Sequence, residues 1–283
     1  MSDLDPRLNA YRPDLADLGL KGKVEAERFV APVQAHIAVA VAALRREPDH
    51  AAGVDTEALF GDPVKVFERD RGWAWVQTEF DGYTGYVDET GIATVTVRST
   101  HAVAVPRTFV YPHADLKAPH LMALSIGAEL AVTDFTEVRG TRYAALATGG
   151  HVIARHLRPL GEHPQDYVAI AELFAGTPYL WGGTSAFGLD CSGLVHLAMR
   201  ICGRMALRDT DMQAATIGKA IDPAAGLQRG DLVFWNGHVA ILRDGENTIH
   251  ANGHTMLTSF EPLTEAVERI RPVYGEPTLY RRP

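Results

Sequence analysis

The stretch TPYLWGGTSAFGLDCSGLVHLAMR, Thr177–Arg200, sets a cysteine between a glycine-rich loop and an apolar helix pattern. The spacing of apolar residues after Cys191 predicts a helix that begins at or next to it. These residues are Leu194, Val195, Ala198 and Ile201. The N–H groups and dipole at a helix start favour the thiolate, the nucleophilic form of cysteine, and can stabilise an oxyanion. Cys191 is therefore a candidate nucleophile, with a purely structural cysteine as the alternative.

Glycines shape the loop before Cys191. Gly182, Gly183 and Gly188 allow tight turns and a close approach of a substrate backbone. The other cysteine, Cys202, lies beyond the same helix pattern without a loop or partner, so we predict that it only packs. Two cysteines without paired ligand spacing do not make a zinc site, so no metal and no other cofactor is predicted.

A catalytic cysteine needs a base, and usually a group that orients the base. His238 begins an apolar strand after the Asn236–Gly237 turn, and His250 lies near the end of the next strand. If Leu242 pairs with Thr248, His250 lies diagonal to His238 on the same face, at roughly 7–8 Å between backbones. A register slip of one residue would place the two imidazoles on opposite faces. We predict His238 as the base and His250 as its orienter, with structural histidines as the alternative.

Composition excludes several classes of function. The 283 residues are 46% hydrophobic and 22% charged, as in an ordinary globular protein. The net charge of −8 disfavours nucleic acid as a partner. No apolar run approaches the length of a membrane span, so no membrane partner is expected. The opening MSDLDPRLNAYRPDLADLGL carries acids and prolines where a signal peptide is basic and apolar, so a cytoplasmic location with reduced thiols is expected.

Four segments are predicted along the chain. Residues 1–27 are polar and form an N-terminal arm rather than a core element. Residues 28–99 and 100–160 each form a small β-barrel, and residues 161–283 form the catalytic domain. The β-prone runs VKVFER, WAWVQT and GYTGYV, separated by DRG and FDG turns, are echoed about 66 residues later by SIGAELAVT and YAALAT. The echo indicates a duplication, and two unrelated meanders are the alternative.

The last segment has helices first and strands second, which is an α+β pattern. PQDYVAIAELFAG, Pro164–Gly176, predicts a helix that ends at the glycine. A second, polar helix is predicted around residues 209–219. The runs DLVFW, HVAILR and NTIHA then predict three strands separated by turns.

Three runs together resemble the NlpC-type cell-wall peptidases, which are papain-like cysteine hydrolases. The runs are PYLWGGTSAFGLDCSGLVHLAMR, LQRGDLVFWNGHVAIL and IHANG. The β-rich first half is similar to the bacterial SH3-like barrels that precede such a domain. The resemblance implies an α+β protein with a papain-like catalytic domain preceded by two small SH3-like β-barrels. It also implies Cys191 as nucleophile, His238 as base and His250 as the third polar residue.

The layout looks like the γ-D-glutamyl-L-diamino acid endopeptidases, whose substrates are murein-derived small peptides. That likeness implies that Tyr179 lines the site and that Asp190 and Ser192 help to bind the free amine of an N-terminal L-alanine. It further implies a pocket tyrosine from the first barrel, for which Tyr83 is the closest match and Tyr86 the alternative. A carboxylate that meets an ammonium group in a partly dry cleft gives charge-assisted recognition of a chain end.

The expected reaction is hydrolysis of the γ-D-glutamyl-L-diamino acid bond through a thioester, in recycling or turnover of wall peptides. Two other readings use the same residues. One is an N-acetylmuramoyl-L-alanine amidase or acyltransferase with the same Cys-His-His site. The other is a non-catalytic module that binds wall peptides.

Overall fold

The computed structural model describes residues 4–94 and 97–283, and the chain divides into two compact units, Met1–Glu162 and His163–Pro283. The first unit is built of strands, and the second combines helices with a six-stranded sheet. The α+β class expected from the sequence is confirmed in this second unit. The four segment boundaries expected from the sequence stay predictions.

The first half of the first unit is organised around one antiparallel sheet of seven strands, in the order β5-β4-β8-β7-β6-β3-β9. Alternating apolar residues such as Leu44, Val64 and Val76 turn inward and form its core. The predicted DRG turn joins β6 to β7. The strands in chain order are β1 Leu15–Asp17, β2 Arg28–Val30, β3 Val33–Ile37, β4 Val41–Arg45, β5 Val54–Leu59, β6 Pro63–Asp70, β7 Trp73–Thr78, β8 Thr84–Asp88 and β9 Ile92–Ala93.

The expectation that the N-terminal segment adds nothing to a core is wrong. Strand β1 pairs in parallel with β2, and Ala10 and Leu15 are buried against Phe67 and Trp75. The polar composition of the segment hides its buried apolar residues, which are Ala10, Leu15 and Ala16.

The second half of the first unit repeats a turn of the first half. Gly61 N–H donates to the carbonyl of Ile37 at 2.9 Å, and Gly127 N–H donates to that of Val103 at 3.0 Å, so the same bond recurs after 66 residues. Both glycines have a positive φ, +84° and +86°. The turn is what a duplication predicts, while the duplication itself and closure of either half into a barrel stay predictions. The strands are β10 His101–Val103, β11 Arg107–Val110, β12 Met122–Ser125, β13 Glu129–Leu130, β14 Val132–Val138, β15 Thr141–Leu146, β16 His151–Ile153 and β17 Leu157–Pro159.

The second unit has four helices and a sheet with the strand order β20-β25-β21-β22-β23-β24. The three predicted strands are present as β21, β22 and β23. The elements in chain order are α1 Tyr167–Glu172, β18 Thr184–Ser185, β19 Gly188–Leu189, α2 Cys191–Ile201, α3 Thr210–Thr216, β20 Lys219–Ala220, β21 Leu232–Trp235, β22 His238–Leu242, β23 Asn247–Asn252, β24 Leu257–Pro262, α4 Leu263–Tyr274 and β25 Leu279–Arg282.

Helix α1 is shorter than the sequence predicts. Asp166 caps it by accepting from the amides of Val168 and Ala169, so the helix begins after the acid rather than at Pro164. Its last residues tighten into i→i+3 bonds, and Gly176 follows with a φ of +82°. The apolar spacing predicted the helix, but the cap decides where it begins.

Two helices hold the sheet of the second unit in place. Helix α2 is buried over nearly its whole length and contacts β22 and β23. Helix α4 packs Ala266 and Ile270 against Val233, Trp235 and Ala240 of the sheet. Both elements matter for function, because α2 begins at Cys191 and α4 covers the sheet face that carries His238.

Candidate active site

Cys191 is the first residue of α2, as the spacing predicted. Asp190 is the N-cap and accepts the Gly193 amide at 2.7 Å. Glycine is required at position 193, because a Cβ there would lie 2.0 Å from the carbonyl oxygen of Gly183. The glycine loop therefore packs directly on the first turn of the helix and fixes the position of the cysteine.

The sulfur of Cys191 lies where three elements meet. Its Sγ is 3.9 Å from Oγ1 of Thr210, at the start of α3, and 4.0 Å from the carbonyl oxygen of Gly237, the residue before His238. Cys191 is 8% exposed. Cys191 and Cys202 do not form a disulfide. The thiol is thus nearly enclosed but adjoins the strand that carries the candidate base.

The two candidate histidines lie together on the β22–β23 hairpin. Leu242 pairs with Thr248 and Ile241 with Ile249, which confirms the predicted register. Nε2 of His238 lies 2.9 Å from Nδ1 of His250, with the rings tilted by 61°. Both side chains are buried. The pair has the geometry of a base held by an orienting group.

The hydrogen-bond chain continues beyond the predicted residues. Nε2 of His250 lies 3.0 Å from Oε2 of Glu261 on β24. Arg269 of α4 donates to both oxygens of that carboxylate, at 2.8 and 2.6 Å. Burial acts to raise the pKa of Glu261, but the hydrogen bonds from Arg269 and His250 outweigh it and lower this pKa to about 2. Glu261 is therefore ionised, and it can only accept hydrogen bonds.

The resting thiol and imidazole are both neutral. Burial raises the pKa of Cys191 to about 11, and the negative charge of Asp190 acts in the same direction. Hydrogen bonds from the Val239 and Ser192 amides and from Thr210 lower it without outweighing burial. Burial also lowers the pKa of His238 to about 3. The helix start therefore does not by itself make the resting sulfur a thiolate, because the cost of burying the charge is larger.

The carboxylate of Asp190 is held by the protein itself. It accepts from the Gly182 amide at 2.8 Å, from the Gly193 amide and from Arg208, whose guanidinium donates to both oxygens. Oγ of Ser192 accepts from the same guanidinium at 2.8 Å. The structure therefore gives Asp190 and Ser192 a role in shaping the loop. Their predicted contact with a substrate amine stays a prediction.

Tyrosines border the site. Tyr179 is half-buried, and burial together with the charges of Cys191 and Asp190 raises its pKa, so its hydroxyl stays protonated as a donor. Tyr274, at the end of α4, stacks on the ring of His238 with centroids 6.3 Å apart. Tyr83 is buried in the first unit, and its predicted place in the pocket stays a prediction.

Several residues near the site were not predicted from the sequence, among them Arg208, Glu261, Arg269 and Tyr274. One signal for Glu261 was available, since strand alternation puts it on the same face as Ser259, the residue opposite His250. The contact of Glu261 with His250 depends on the pairing of β24 with β23, which was not predicted from the sequence. Arg208, Arg269 and Tyr274 depend on packing between distant segments and left no local signal.

The described residues contain neither a metal-binding cluster nor a membrane-spanning helix. Within residues 4–94 and 97–283, no three His, Cys, Asp or Glu side chains are grouped so that they could hold a metal ion. Across the same ranges, no helix has the length and apolar character needed to cross a membrane.

Two family models match the chain. Residues 44–92 match the bacterial dipeptidyl-peptidase SH3 domain, and residues 176–269 match the NlpC/P60 family. The second match contains Cys191, His238, His250, Glu261 and Arg269. The whole hydrogen-bond chain therefore lies inside the matched domain.

Two relatives match over most of the chain. Dipeptidyl-peptidase 6 of Lysinibacillus sphaericus is 29% identical over 256 residues, which cover 83% of this chain and 92% of the relative. The gamma-D-glutamyl-L-lysine dipeptidyl-peptidase of Bacillus subtilis is 27% identical over 214 residues, covering 71% and 68%.

The fold is similar to that of a solved protein. The crystal structure of an NlpC/P60 family protein from Bacillus cereus superposes with a TM-score of 0.74 at 23% identity, covering 88% of this chain and 99% of that one. The two family matches and the Cys-His-His geometry together identify the chain as a peptidase. It carries a bacterial SH3 domain followed along the sequence by an NlpC/P60 family domain.

Proposed function

We propose that this peptidase hydrolyses the γ-D-glutamyl-L-diamino acid bond of murein-derived peptides that have a free N-terminal L-alanine. The observation that carries the proposal is the position of the Cys191 sulfur at the start of α2, 4.0 Å from the carbonyl oxygen of Gly237. The next residue, His238, is hydrogen-bonded to His250 at 2.9 Å. The choice of bond is supported by the similarity to the gamma-D-glutamyl-L-lysine dipeptidyl-peptidase of Bacillus subtilis. A role in turnover of wall peptides and a cytoplasmic location belong to the same proposal.

The reaction begins with attack of the Cys191 sulfur on the γ-glutamyl carbonyl carbon. The thiol proton passes to His238 as the carbon–sulfur bond forms, since neither group is charged at rest. The tetrahedral intermediate collapses, the carbon–nitrogen bond breaks, and His238 returns the proton to the departing amine. Water then attacks the thioester with His238 again as base, releasing L-Ala-γ-D-Glu and the free thiol.

The developing oxyanion is held at the helix start. The Cys191 amide, the first of α2, has no carbonyl acceptor within the helix because no turn precedes it, and the next amide, that of Ser192, faces the Cys191 sulfur. The Gly193 amide is already taken by Asp190. The protonated hydroxyl of Tyr179 is a further donor at the same cleft. Each donor of this kind lowers the barrier by about 3 kcal/mol.

The deciding experiment is mass spectrometry of the products from L-Ala-γ-D-Glu-diaminopimelate and from the same peptide with lysine in third position. We expect L-Ala-γ-D-Glu and the free diamino acid from at least one of them, and no product with C191A. C202A is the matched control and should retain activity, because Cys202 lies at the far end of the same helix.

Intact muropeptide serves as the second substrate and separates the other readings. Release of the peptide from muramic acid would identify an amidase and contradict the proposal. New amide products in the presence of added amines, without net hydrolysis, would identify an acyltransferase. Binding of the peptides without any turnover would identify a non-catalytic module.

A further inference from the structure

Three hydrogen-bonded side chains lie on a diagonal across three adjacent strands of the second unit. His238 lies on β22, His250 on β23 and Glu261 on β24. His250 pairs with Ser259, two residues before Glu261, so alternation puts both side chains on one face. The contacts along this diagonal are 2.9 Å and 3.0 Å. The sheet therefore links the candidate base to a carboxylate two strands away.

The chemistry of these contacts decides where the hydrogens lie. An ionised carboxylate cannot donate, so the hydrogen of the His250–Glu261 bond belongs to Nε2 of His250. In the tautomer of His250 that has its hydrogen on Nε2, Nδ1 is bare and accepts from Nε2 of His238 across the 2.9 Å contact. The remaining nitrogen of His238, Nδ1, is then the one without a hydrogen.

A donor in place of Glu261 would reverse every bond in the chain. Nε2 of His250 would accept, its Nδ1 would carry the hydrogen, and Nε2 of His238 would become the acceptor. The hydrogen of His238 would then lie on Nδ1, where it blocks proton uptake from a thiol. One acidic side chain thus selects between an active and an inactive tautomer of the base.

Arg269 keeps the carboxylate in the required state. It donates to both oxygens of Glu261, and the side chain of Glu261 is 17% exposed. The fork fixes the plane of the carboxylate so that Oε2 faces His250. It also opposes protonation of Glu261, which would turn the acceptor into a donor.

We propose that Glu261, held by Arg269, is the positioning residue that sets the tautomers of His250 and His238 and leaves Nδ1 of His238 free to take the Cys191 proton. The inference rests on the proposed function, because it assigns His238 as the base. When His238 becomes an imidazolium, the charge is stabilised through His250 by the same carboxylate. Glu261 touches neither sulfur nor substrate, so its effect falls on kcat and leaves KM unchanged.

The kinetic test compares E261Q with E268Q, since Glu268 is an exposed glutamate on the adjoining helix. The amide keeps the size of the side chain, but it replaces one of the two acceptor oxygens with a donor NH2 group and removes the negative charge that stabilises the imidazolium. We expect kcat of E261Q to fall about 10- to 100-fold at unchanged KM, within the range that general base catalysis contributes. E268Q should match wild type. If the wild type hydrolyses the peptide and E261Q has the same kcat, the inference is overturned.

The second measurement reads the tautomers directly. In protein with ¹⁵N-labelled histidine, ring resonances assigned with H238Q and H250Q should show hydrogen on Nε2 of both residues in wild type, and on Nδ1 in part of the E261Q molecules. Hydrogen on Nδ1 of His250 in wild type would overturn the inference, even if E261Q fails to fold. A wild type with the expected tautomers but no peptide hydrolysis would refute the proposed function alone.

Discussion

The guanidinium of Arg208 is 1% exposed and pairs with the carboxylate of Asp190, the residue directly before the nucleophile. A buried ion pair is costly to break on one side, because the remaining charge loses its partner. Asp190 therefore joins the start of α2, the glycine loop and the segment before α3 through one carboxylate. The stability of the unit and the position of Cys191 depend on the same contact.

Replacement of Asp190 by asparagine should destabilise the protein by about 3–5 kcal/mol, because it removes the negative charge that faces the buried guanidinium of Arg208. Asparagine still caps the helix, so loss of the cap does not explain the effect. Urea unfolding followed by circular dichroism gives the free energy. The matched control is D222N, since Asp222 caps an exposed 3₁₀ turn through the Ala224 amide. Unchanged stability of D190N, together with a raised KM for peptides with a free amine, would favour a role in substrate binding alone.

Local patterns predicted the part of the site that local geometry determines. The helix after Cys191 followed from apolar spacing, and the meeting of His238 with His250 followed from one turn and strand alternation. Glu261 lies beyond that range, because its contact depends on the pairing of a further strand. Arg208 was not predicted because a charged residue is expected at the surface unless a buried partner is known. The pKa of Cys191 was misjudged for the same reason, since burial is a property of the whole unit.

Alkylation of Cys191 in the unliganded protein should report a thiol rather than a resting ion pair. Because burial raises its pKa to about 11, the rate with iodoacetamide should rise about tenfold per pH unit between pH 7 and 9, without a plateau. Rates are followed by mass spectrometry of the Cys191 peptide, with C191A as the control for reaction at Cys202. A plateau near neutral pH, lost in H238A, would instead show a resting thiolate paired with the imidazolium.

Acidification should destabilise the folded state through His238. Burial lowers its folded pKa to about 3, below the usual value of 6.5, so the unfolded chain binds the extra proton as pH falls. Stability is therefore full above pH 6.5 and declines towards pH 3, with a slope of at most about 1.4 kcal/mol per pH unit. Glu261 adds a further loss of folding stability only below pH 4.5, the usual pKa of a glutamate.

The window between pH 6.5 and 4.5 isolates the histidine, because Glu261 is still ionised in both states there. Urea unfolding of wild type and H238Q is measured over this window. The difference between their free energies of unfolding gives the pH-dependent contribution of His238, because the contributions of the other histidines cancel. We expect the H238Q curve to be flatter. Parallel curves would mean that His238 is protonated equally in the folded and unfolded states.

Tyr274 should control the pH at which the base is lost. It stacks on His238 and is 48% exposed, so its ring separates the imidazole from solvent. Replacement by alanine admits water and reduces the burial that lowers the pKa of His238, so this pKa rises towards 6.5. Since the base works only when unprotonated, the acidic limb of kcat/KM should move to higher pH in Y274A.

The matched variant Y274F distinguishes shielding from hydrogen bonding. Phenylalanine keeps the stacked ring and removes only the hydroxyl, so the acidic limb of Y274F should coincide with that of wild type. The profiles are measured between pH 4 and 8 on the peptide that the wild type hydrolyses. If the limb moved equally in both variants, the hydroxyl rather than the ring would set the pKa of His238. If it moved in neither, the imidazole would be shielded by the sheet and by Trp235, whose ring centroid lies 5.6 Å from that of His238.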